Sequence, residues 1–411
     1  MDTVVQRCAG LDIGKADFKA CIREPGPGTR RRSEVRTFSA MTSGILDCAG
    51  WLAEHQVSLV GMEATGDYWK PVYYLLEDQF EVWLLNARHM RNVPGRKTDV
   101  SDAAWIAQLI EHGLVRPSFV PPPPIRRLRD LTRYRTSLVR ERTREIQRLE
   151  KILDDAGIKV TAVTSKTLSK SSRDMIEALI TGERDPRALA QFARGRMRAK
   201  IPMLTEALAG RFTAHHALLC RTMLDRIDHL NTTMDAISRQ IDIEIEPFRD
   251  QLQQLITIPG ISTRIAEIII AEIGVDMTRF PTAAHLASWA GICPGNNESA
   301  GKHHSGRTRK GDTWLRAALG EAAIAASATK NTYLAARYRR ITRRRGKKRA
   351  LVAIAHTILT AIWHMLAHGT DYNDLGADHY QHRVNRTRQA QRLTAQLTQL
   401  GYRVTLEEAA A

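Results

Sequence analysis

Four carboxylates and a serine are the residues of this 411-residue chain whose types and settings can do chemistry. Asp12 lies in Gly10-Leu-Asp-Ile-Gly-Lys15, inside an apolar strand pattern, where an ionised carboxylate is costly unless paired, hydrogen-bonded or bound to metal. Glu63 ends a second apolar run, Val57-Ser-Leu-Val-Gly-Met-Glu63. Asp99 and Asp102 stand three apart in Lys97-Thr-Asp-Val-Ser-Asp102, so a helix starting there carries both on one face. Each acid also has a plain structural reading: Lys15 can pair Asp12, Asp99 or Ser101 can cap the helix, and Asp102 suits its dipole. Gathered in one segment, the four supply the oxygen ligands that two Mg²⁺ ions require, and such a pair clamps the attacking and leaving oxygens of a phosphodiester.

The serine is Ser299, in Cys293-Pro-Gly-Asn-Asn-Glu-Ser-Ala-Gly-Lys302-His-His-Ser305-Gly-Arg307-Thr-Arg309-Lys310-Gly311. A serine in a glycine-rich loop with cations behind it is set for attack on a phosphodiester, because nearby positive charge stabilises both an alkoxide-like nucleophile and the phosphorane. Surface loops often share this composition, and Ser305 is a competing serine.

The elements that must position these groups follow from periodicity. Residues 9–22 read as strand, turn and returning strand, Val35–Phe38 as a third strand, and Thr42–His55 as a helix with Ile45, Leu46, Ala49 and Leu52 inward. The strand ending at Glu63, a helix over Trp69–Asp78 and a strand over Phe80–Leu85 complete an α/β layer, in which sites form at the carboxyl ends of strands. Pro121–Pro124 marks a stiff boundary. Beyond it, Leu128, Leu131, Arg135, Leu138, Arg142, Glu145, Leu149 and Ile152 form an interrupted heptad seam. Nine arginines crowd residues 126–148, more than a solvated face requires, which suggests phosphate contact. Ile227, Leu230, Met234, Ile237 and Ile241 form a second seam, so the two helices make a hairpin in one chain or an interface between chains. Leu255–Ala266, with Pro259-Gly260, reads equally as a phosphate-approaching turn between helices or as a packing turn.

Composition names the partner class. A net charge of +17 and a pI near 10 ask for an acidic partner, nucleic acid first and an anionic membrane surface second. Arg337–Arg349 holds nine Lys or Arg in thirteen residues, a nucleic-acid arm with salt-dependent affinity. The apolar stretch Ala350–Leu366 is interrupted by His356, Thr357, Thr360 and His364 and reads as a buried helix, so no membrane partner is expected. Five cysteines without a CxxC pair argue against zinc or a disulfide framework, and the N-terminus has no signal-peptide pattern; a reducing cytoplasm fits.

The order Leu-Asp12-Ile-Gly-Lys, Met-Glu63-Ala-Thr-Gly, Lys97-Thr-Asp99-Val-Ser-Asp102-Ala resembles the DEDD insertion-sequence transposases. So does the run Pro294, Ser299, Ala300-Gly301-Lys302, Arg309-Lys310-Gly311 and Leu315-Arg316, with one departure: Ala300 stands where that family usually has glycine. The resemblance implies a RuvC-like, RNase H-type α/β domain over 1–120 and a helical coiled-coil middle over 121–250. A mostly α-helical transposase domain over 251–375 and a tail over 376–411 follow. It implies metal roles, with Mg²⁺, for Asp12, Glu63, Asp99 and Asp102, and a covalent phosphoserine on Ser299. It further implies donor and target DNA chosen by a structured bridge RNA, and a dimer or tetramer whose acids and serine come from different protomers. Lys15, Lys302, Arg307, Arg309, Lys310, Arg343, Arg344, Arg345, Lys347, Lys348 and Arg349 are the expected nucleic-acid contacts. A DNA invertase of the same superfamily, a water-using nuclease in which Ser299 is dispensable, and a non-enzymatic scaffold are the alternatives.

Overall fold

Alternating apolar and polar residues fold Cys8–Ile13 (β1) and Asp17–Pro25 (β2) into a hairpin, and Arg31–Ser39 (β3) adds to its outer edge. The computed structural model describes residues 3–406 apart from 29, 65, 87–89, 91–101, 165–166, 295–297, 304–305 and 383–385; at 298–299, 303, 381–382 and 386–389 it describes the backbone alone. The chain divides into two units, Met1–Val120 and Pro121–Ala411.

In the first unit, helix Thr42–Glu54 (α1) carries the chain to Leu59–Glu63 (β4), and Trp69–Leu76 (α2) carries it to Glu81–Leu85 (β5). The sheet order is β3-β2-β1-β4-β5, antiparallel across the first three strands and parallel from β1 through β5. Period-two alternation divides its faces. Leu11, Ile13, Val60 and Met62 pack with Ile45, Cys48, Leu52, Val72 and Leu76 of α1 and α2. Cys8, Leu59 and Leu85 instead meet Trp105, Ile106, Leu109 and Ile110 of helix Asp102–Glu111 (α3). The inward place expected for Leu46 is corrected: it is 49% exposed, and Cys48 and Trp51 are buried instead. At 100° per residue, position 46 turns away from the face that 45, 48, 49 and 52 share.

The second unit opens on proline. Pro122 is the N-cap, and Pro123 begins the 33-residue helix Pro123–Asp155 (α4). The last two prolines thus start a helix, because its first turn needs no amide donors and a fixed φ suits it. Helix Ala214–Glu244 (α5) returns alongside: Arg127 bonds Glu244 at one end, Arg142 bonds Asn231 midway, and His216 meets Asp155 at the other end. Leu138, Leu230 and Met234 fill the seam between them, so the hairpin lies within one chain. Residues between the two helices fold into a small helical cap over Leu149, Leu153, Cys220 and Leu224, where Asp185 caps the helix Pro186–Ala190 by accepting from the Arg187 amide.

Most of the crowded arginines of α4 bond within the chain, although Arg127, Arg140, Arg144 and Arg148 are exposed. Arg126, Arg127, Arg129, Arg133, Arg135, Arg142 and Arg148, seven of the nine, hydrogen-bond within the chain. Arg133 makes a two-pronged contact with Glu272, at 2.7 Å for each prong, and Arg135 meets Glu267; both acids lie on helix Thr263–Ile273 (α6). Arg135 and Glu267 are both buried, and removing one member of that pair costs about 3–5 kcal/mol; Glu272 is buried too and is also met by Arg129, while Arg133 is one-third exposed. These arginines hold the hairpin to the C-terminal helices.

Those helices include Thr313–Ala328 (α7), Tyr333–Arg345 (α8) and Lys347–His368 (α9). Gly260, at φ +93°, packs its bare Cα against the backbone of α7 at Ala322 and Ala326, which makes the turn before α6 a packing turn. Among the described residues α9 is the one helix long and apolar enough to cross a membrane; Ile354, Ile358, Leu359 and Ile362 are buried and the Trp363 indole donates to the Phe280 carbonyl.

Candidate active site

Two glycines, each two residues before an acid, set the acidic site. A Cβ on Gly10 would overlap the Ala103 carbonyl and the Ala107 amide, and one on Gly61 would overlap Ile110, so α3 lies directly on the sheet at both strands. Alternation puts Asp12 and Glu63 on that same face. Because β1 and β4 are parallel with Leu11 beside Met62, the next residues, Asp12 and Glu63, lie at the carboxyl ends of adjacent strands, Asp12 one residue before the end of β1. Asp102 is the first residue of α3 and pushes the Asp12 carboxyl above the usual range together with burial, the larger cause, while Lys19 opposes the shift. Asp99 lies outside the described residues.

Lys19, not the expected Lys15, is therefore the charge that faces Asp12. The hairpin register pairs Asp12 with Lys19 across the ladder, and Lys15 is exposed in the turn. The sequence held that signal, since a tight turn after Ile13 fixes the partner of Asp12. Among the described residues no three Asp, Glu, His or Cys side chains approach closely enough to hold a metal ion. The donor set is all oxygen, the type that Mg²⁺ takes, and a cation there would relieve the repulsion that raises the Asp12 carboxyl. Gly10→Ala is expected to cost about 3 kcal/mol, because a methyl against helix backbone cannot be absorbed by rotamer change. Urea denaturation measures it; a loss below about 0.5 kcal/mol would mean that α3 does not rest on Gly10.

The serine segment is built on a two-residue hairpin. Glu298–Ser299 (β6) pairs with Lys302–His303 (β7), and the register sets Ser299 directly across from Lys302. Ala300 and Gly301 form the turn at φ +50° and +75°, the two left-handed positions of a type I′ turn. Glycine adopts that conformation freely and alanine does not, so the departure at Ala300 falls where it strains the backbone by roughly 1 kcal/mol. Ala300→Gly is expected to slow amide exchange across 298–303 by about fivefold, that energy expressed as a ratio, with global unfolding unchanged. Faster exchange in the variant would remove the strain. Ser305 lies outside the described residues.

The base of this segment is fixed from three sides. Pro294 and Thr308 form an isolated antiparallel bridge, and Arg316 of α7 donates to the Arg309 carbonyl and the Thr308 hydroxyl. Asp312 caps α7 by accepting from the Leu315 amide and also meets Arg133 at 3.3 Å. Lys302, Arg307, Arg309 and Lys310 are exposed around it. The expected basic arm is instead a helical corner: Arg343, Arg344 and Arg345 end α8, Gly346 turns at φ +80°, and Lys347, Lys348 and Arg349 begin α9. Arg307, Lys348 and Arg349 come together on one cleft, joined by Arg337 of the same basic block and by His356, which in the sequence reads only as an interruption of the apolar helix.

Two separate stretches of the chain match two family models in this order. A model described as a transposase, of the DEDD type named for IS110, matches residues 9–158, and one described as the transposase IS116/IS110/IS902 family matches residues 252–340. The chain belongs to the IS110 family of insertion-sequence transposases. As a transposase it is an enzyme that cuts and transfers DNA. A probable family 20 transposase of Pseudomonas aeruginosa is 25% identical to it over 76% of this chain and 85% of that protein. The transposase for insertion sequence element IS1111A of Coxiella burnetii is 25% identical over 88% of this chain and 90% of its own length. An uncharacterized protein of insertion element IS110 from Streptomyces coelicolor is 36% identical over 122 residues, 29% of each chain. The first match holds the four acids of the transposase, and the second holds Ser299 and its cations.

Proposed function

We propose that this transposase cuts and rejoins DNA through Ser299, with Asp12, Glu63, Asp99 and Asp102 holding Mg²⁺, as one or two ions, in an RNase H-like first unit. The observation that carries the reading is the seating of α3 on Gly10 and Gly61, which brings Asp102 beside Asp12 on the face where Glu63 ends the next strand. Three antiparallel strands followed by two parallel ones, with helices on both faces, support the RNase H-like assignment.

In this mechanism the Ser299 oxygen forms a bond to phosphorus and one deoxyribose oxygen leaves, taking up a proton to become a hydroxyl. The phosphodiester energy is kept in the phosphoserine link, and a hydroxyl of the new partner strand reverses the step to rejoin the DNA. Lys302, opposite Ser299 in the ribbon, and the exposed Arg307, Arg309 and Lys310 offset the negative charge that builds on phosphate. Divalent cations, when bound, neutralise charge on the attacking and leaving oxygens.

The reading includes a structured guide RNA that selects donor and target DNA, a dimer or tetramer with acids and serine from different protomers, and action in the cytoplasm. Its support is the net charge of +17 and the exposed cations of the hairpin and the α8–α9 corner. The test is to purify the protein expressed from its native locus, sequence the nucleic acid that comes with it, and supply that complex with plasmids carrying the element junction and a target. A discrete RNA encoded beside the gene and recombinant junctions in its presence are expected. Junctions formed equally well after RNase treatment would remove the guide RNA, and nicking without joined product would favour a nuclease.

A further inference from the structure

The cleft between the serine segment and the start of α9 has a composition that neither a phosphate site nor a packing defect explains. Its volume is about 800 Å³, within the range of sites that take one nucleotide-sized ligand. Ile292, Pro294 and Val352 give it an apolar wall, and Val352 is 40% exposed there. Arg307, Arg337, Lys348 and Arg349 give it charge, and no acidic partner meets Lys348 or Arg349 among the described residues. A bare phosphate needs no apolar wall, and an apolar ligand needs no four cations.

Arg337 is held ready for a ligand. Its Nη1 donates to the hydroxyls of Tyr333 and Tyr380, at 3.1 and 3.2 Å, and those rings stack on each other. Its buried Nε has no hydrogen-bond partner among the described residues, and an unmet charged donor is costly. His356 at the back of the cleft is kept toward its neutral form by burial and by Arg337, so its ring can both donate and accept.

We propose that this cleft receives one unpaired nucleotide of the DNA strand to be cut, its phosphate on Arg337, Lys348 and Arg349 and its base against Ile292, Pro294 and Val352. Within a duplex only base edges are open, so an apolar wall can meet the face of a base only when that base has left the stack. DNA is the occupant because the cleft is walled by Pro294 and Thr308, the bridged ends of the segment that carries Ser299. The inference rests on the reading of Ser299 as the strand-cutting residue. Beyond the shared acids and serine, it gives Arg337, His356 and Val352 a role in holding that nucleotide.

The experiment uses the full chain without Mg²⁺, so that its readout is binding and is independent of the cleavage chemistry. The probes are a deoxyoligonucleotide with a single unpaired 2-aminopurine, the matching fully paired duplex, and the ribose version of the unpaired probe. Wild-type protein is expected to raise the fluorescence of the unpaired 2-aminopurine, and both Val352→Trp, which fills the cleft from a half-exposed position, and Arg337→Gln are expected to abolish that rise. Each should weaken binding of the unpaired probe by on the order of tenfold, the size of one charge-assisted contact, with duplex affinity unchanged. Arg344→Gln, outside the cleft, should weaken both DNA probes alike. Val352→Trp protein that keeps its unfolding midpoint and still reports like wild type overturns the proposal, as does a stronger response to the ribose probe, which would make RNA the occupant.

Discussion

Ser299→Ala is expected to give no covalent protein–DNA species and no recombinant product, a fall on the order of 10⁴-fold or more, the scale on which loss of a nucleophile is felt. The oxygen that it removes is the one that would bond phosphorus, and neither water nor a neighbouring group can keep the strand attached to protein. Affinity for DNA should change by less than about twofold, because binding draws on the exposed cations rather than on a neutral hydroxyl. A denaturing gel of end-labelled DNA with wild type, Ser299→Ala and Ser305→Ala separates the candidates. An adduct that survives in Ser299→Ala and vanishes in Ser305→Ala would move the nucleophile. Absence of any adduct in wild type, with cleavage intact, would favour the water-using nuclease. Lys302→Met should keep the adduct but slow its formation about a hundredfold, the usual loss of one preorganised charge or donor.

Asp12→Asn is expected to abolish Mg²⁺-dependent cleavage and, at the same time, to stabilise the metal-free protein. The sign follows from the raised Asp12 carboxyl, which burial and Asp102 both push upward. An acid whose folded pKa lies above its unfolded value favours folding in its protonated form. Its contribution is complete below the ordinary carboxylate pKa and is lost as pH rises through the raised one. At neutral pH the wild-type charge is therefore a cost, which the neutral asparagine escapes. Without metal, the melting temperature of Asp12→Asn should exceed that of wild type at pH 7, and the two should converge near pH 3. Added Mg²⁺ should raise the wild-type midpoint by ligand linkage and leave the variant unmoved. Equal midpoints with and without Mg²⁺ in both proteins, or undiminished cleavage by Asp12→Asn, would remove the metal site. Asp102→Asn should bring the Asp12 carboxyl back toward its ordinary range and extend whatever activity remains to lower pH.

Much of this arrangement is legible in the unfolded chain. Strand alternation at 9–22 and 57–63 and the three-four seams at 128–152 and 227–241 specify elements that the structure contains, since burying one apolar face is the main driving force behind each. The seams leave the choice between hairpin and interchain pair open, because packing of the same residues serves both. The structure closes the seam within one chain through Leu138, Leu230 and Met234, and the contacts Arg127 to Glu244 and Arg142 to Asn231, which no hydrophobic pattern encodes, fix its register. The α4 arginines are only half legible for a related reason. A count of charges says nothing of their partners, and Glu267 and Glu272 stand more than 130 positions away in the chain. Of the acidic site, residue types are readable while the device that assembles them is less so. Gly10 and Gly61 look like loosened strand positions until α3 is placed on them. The cations of the Arg337 cleft are legible as parts of the serine segment and the basic block, but their meeting with Val352 and His356 is not, since the walls come from separate stretches of chain.

The α4–α5 hairpin also has a mechanical meaning. Thirty-three residues of helix reach about 50 Å at 1.5 Å per residue, close to the length of fifteen base pairs of B-form DNA at 3.4 Å each. Its root is clamped to α6 by Arg133 and Arg135, and its far end carries the small helical cap. The arm beyond those clamps, Arg135 to Asp155, is about 30 Å, a lever with gain: a tilt of about 8° at the clamps sweeps the tip through roughly 4 Å, more than the rise of one base pair. The two arginine–glutamate clamps are thus the fulcrum, and loosening either one turns a stiff pointer into a swinging one.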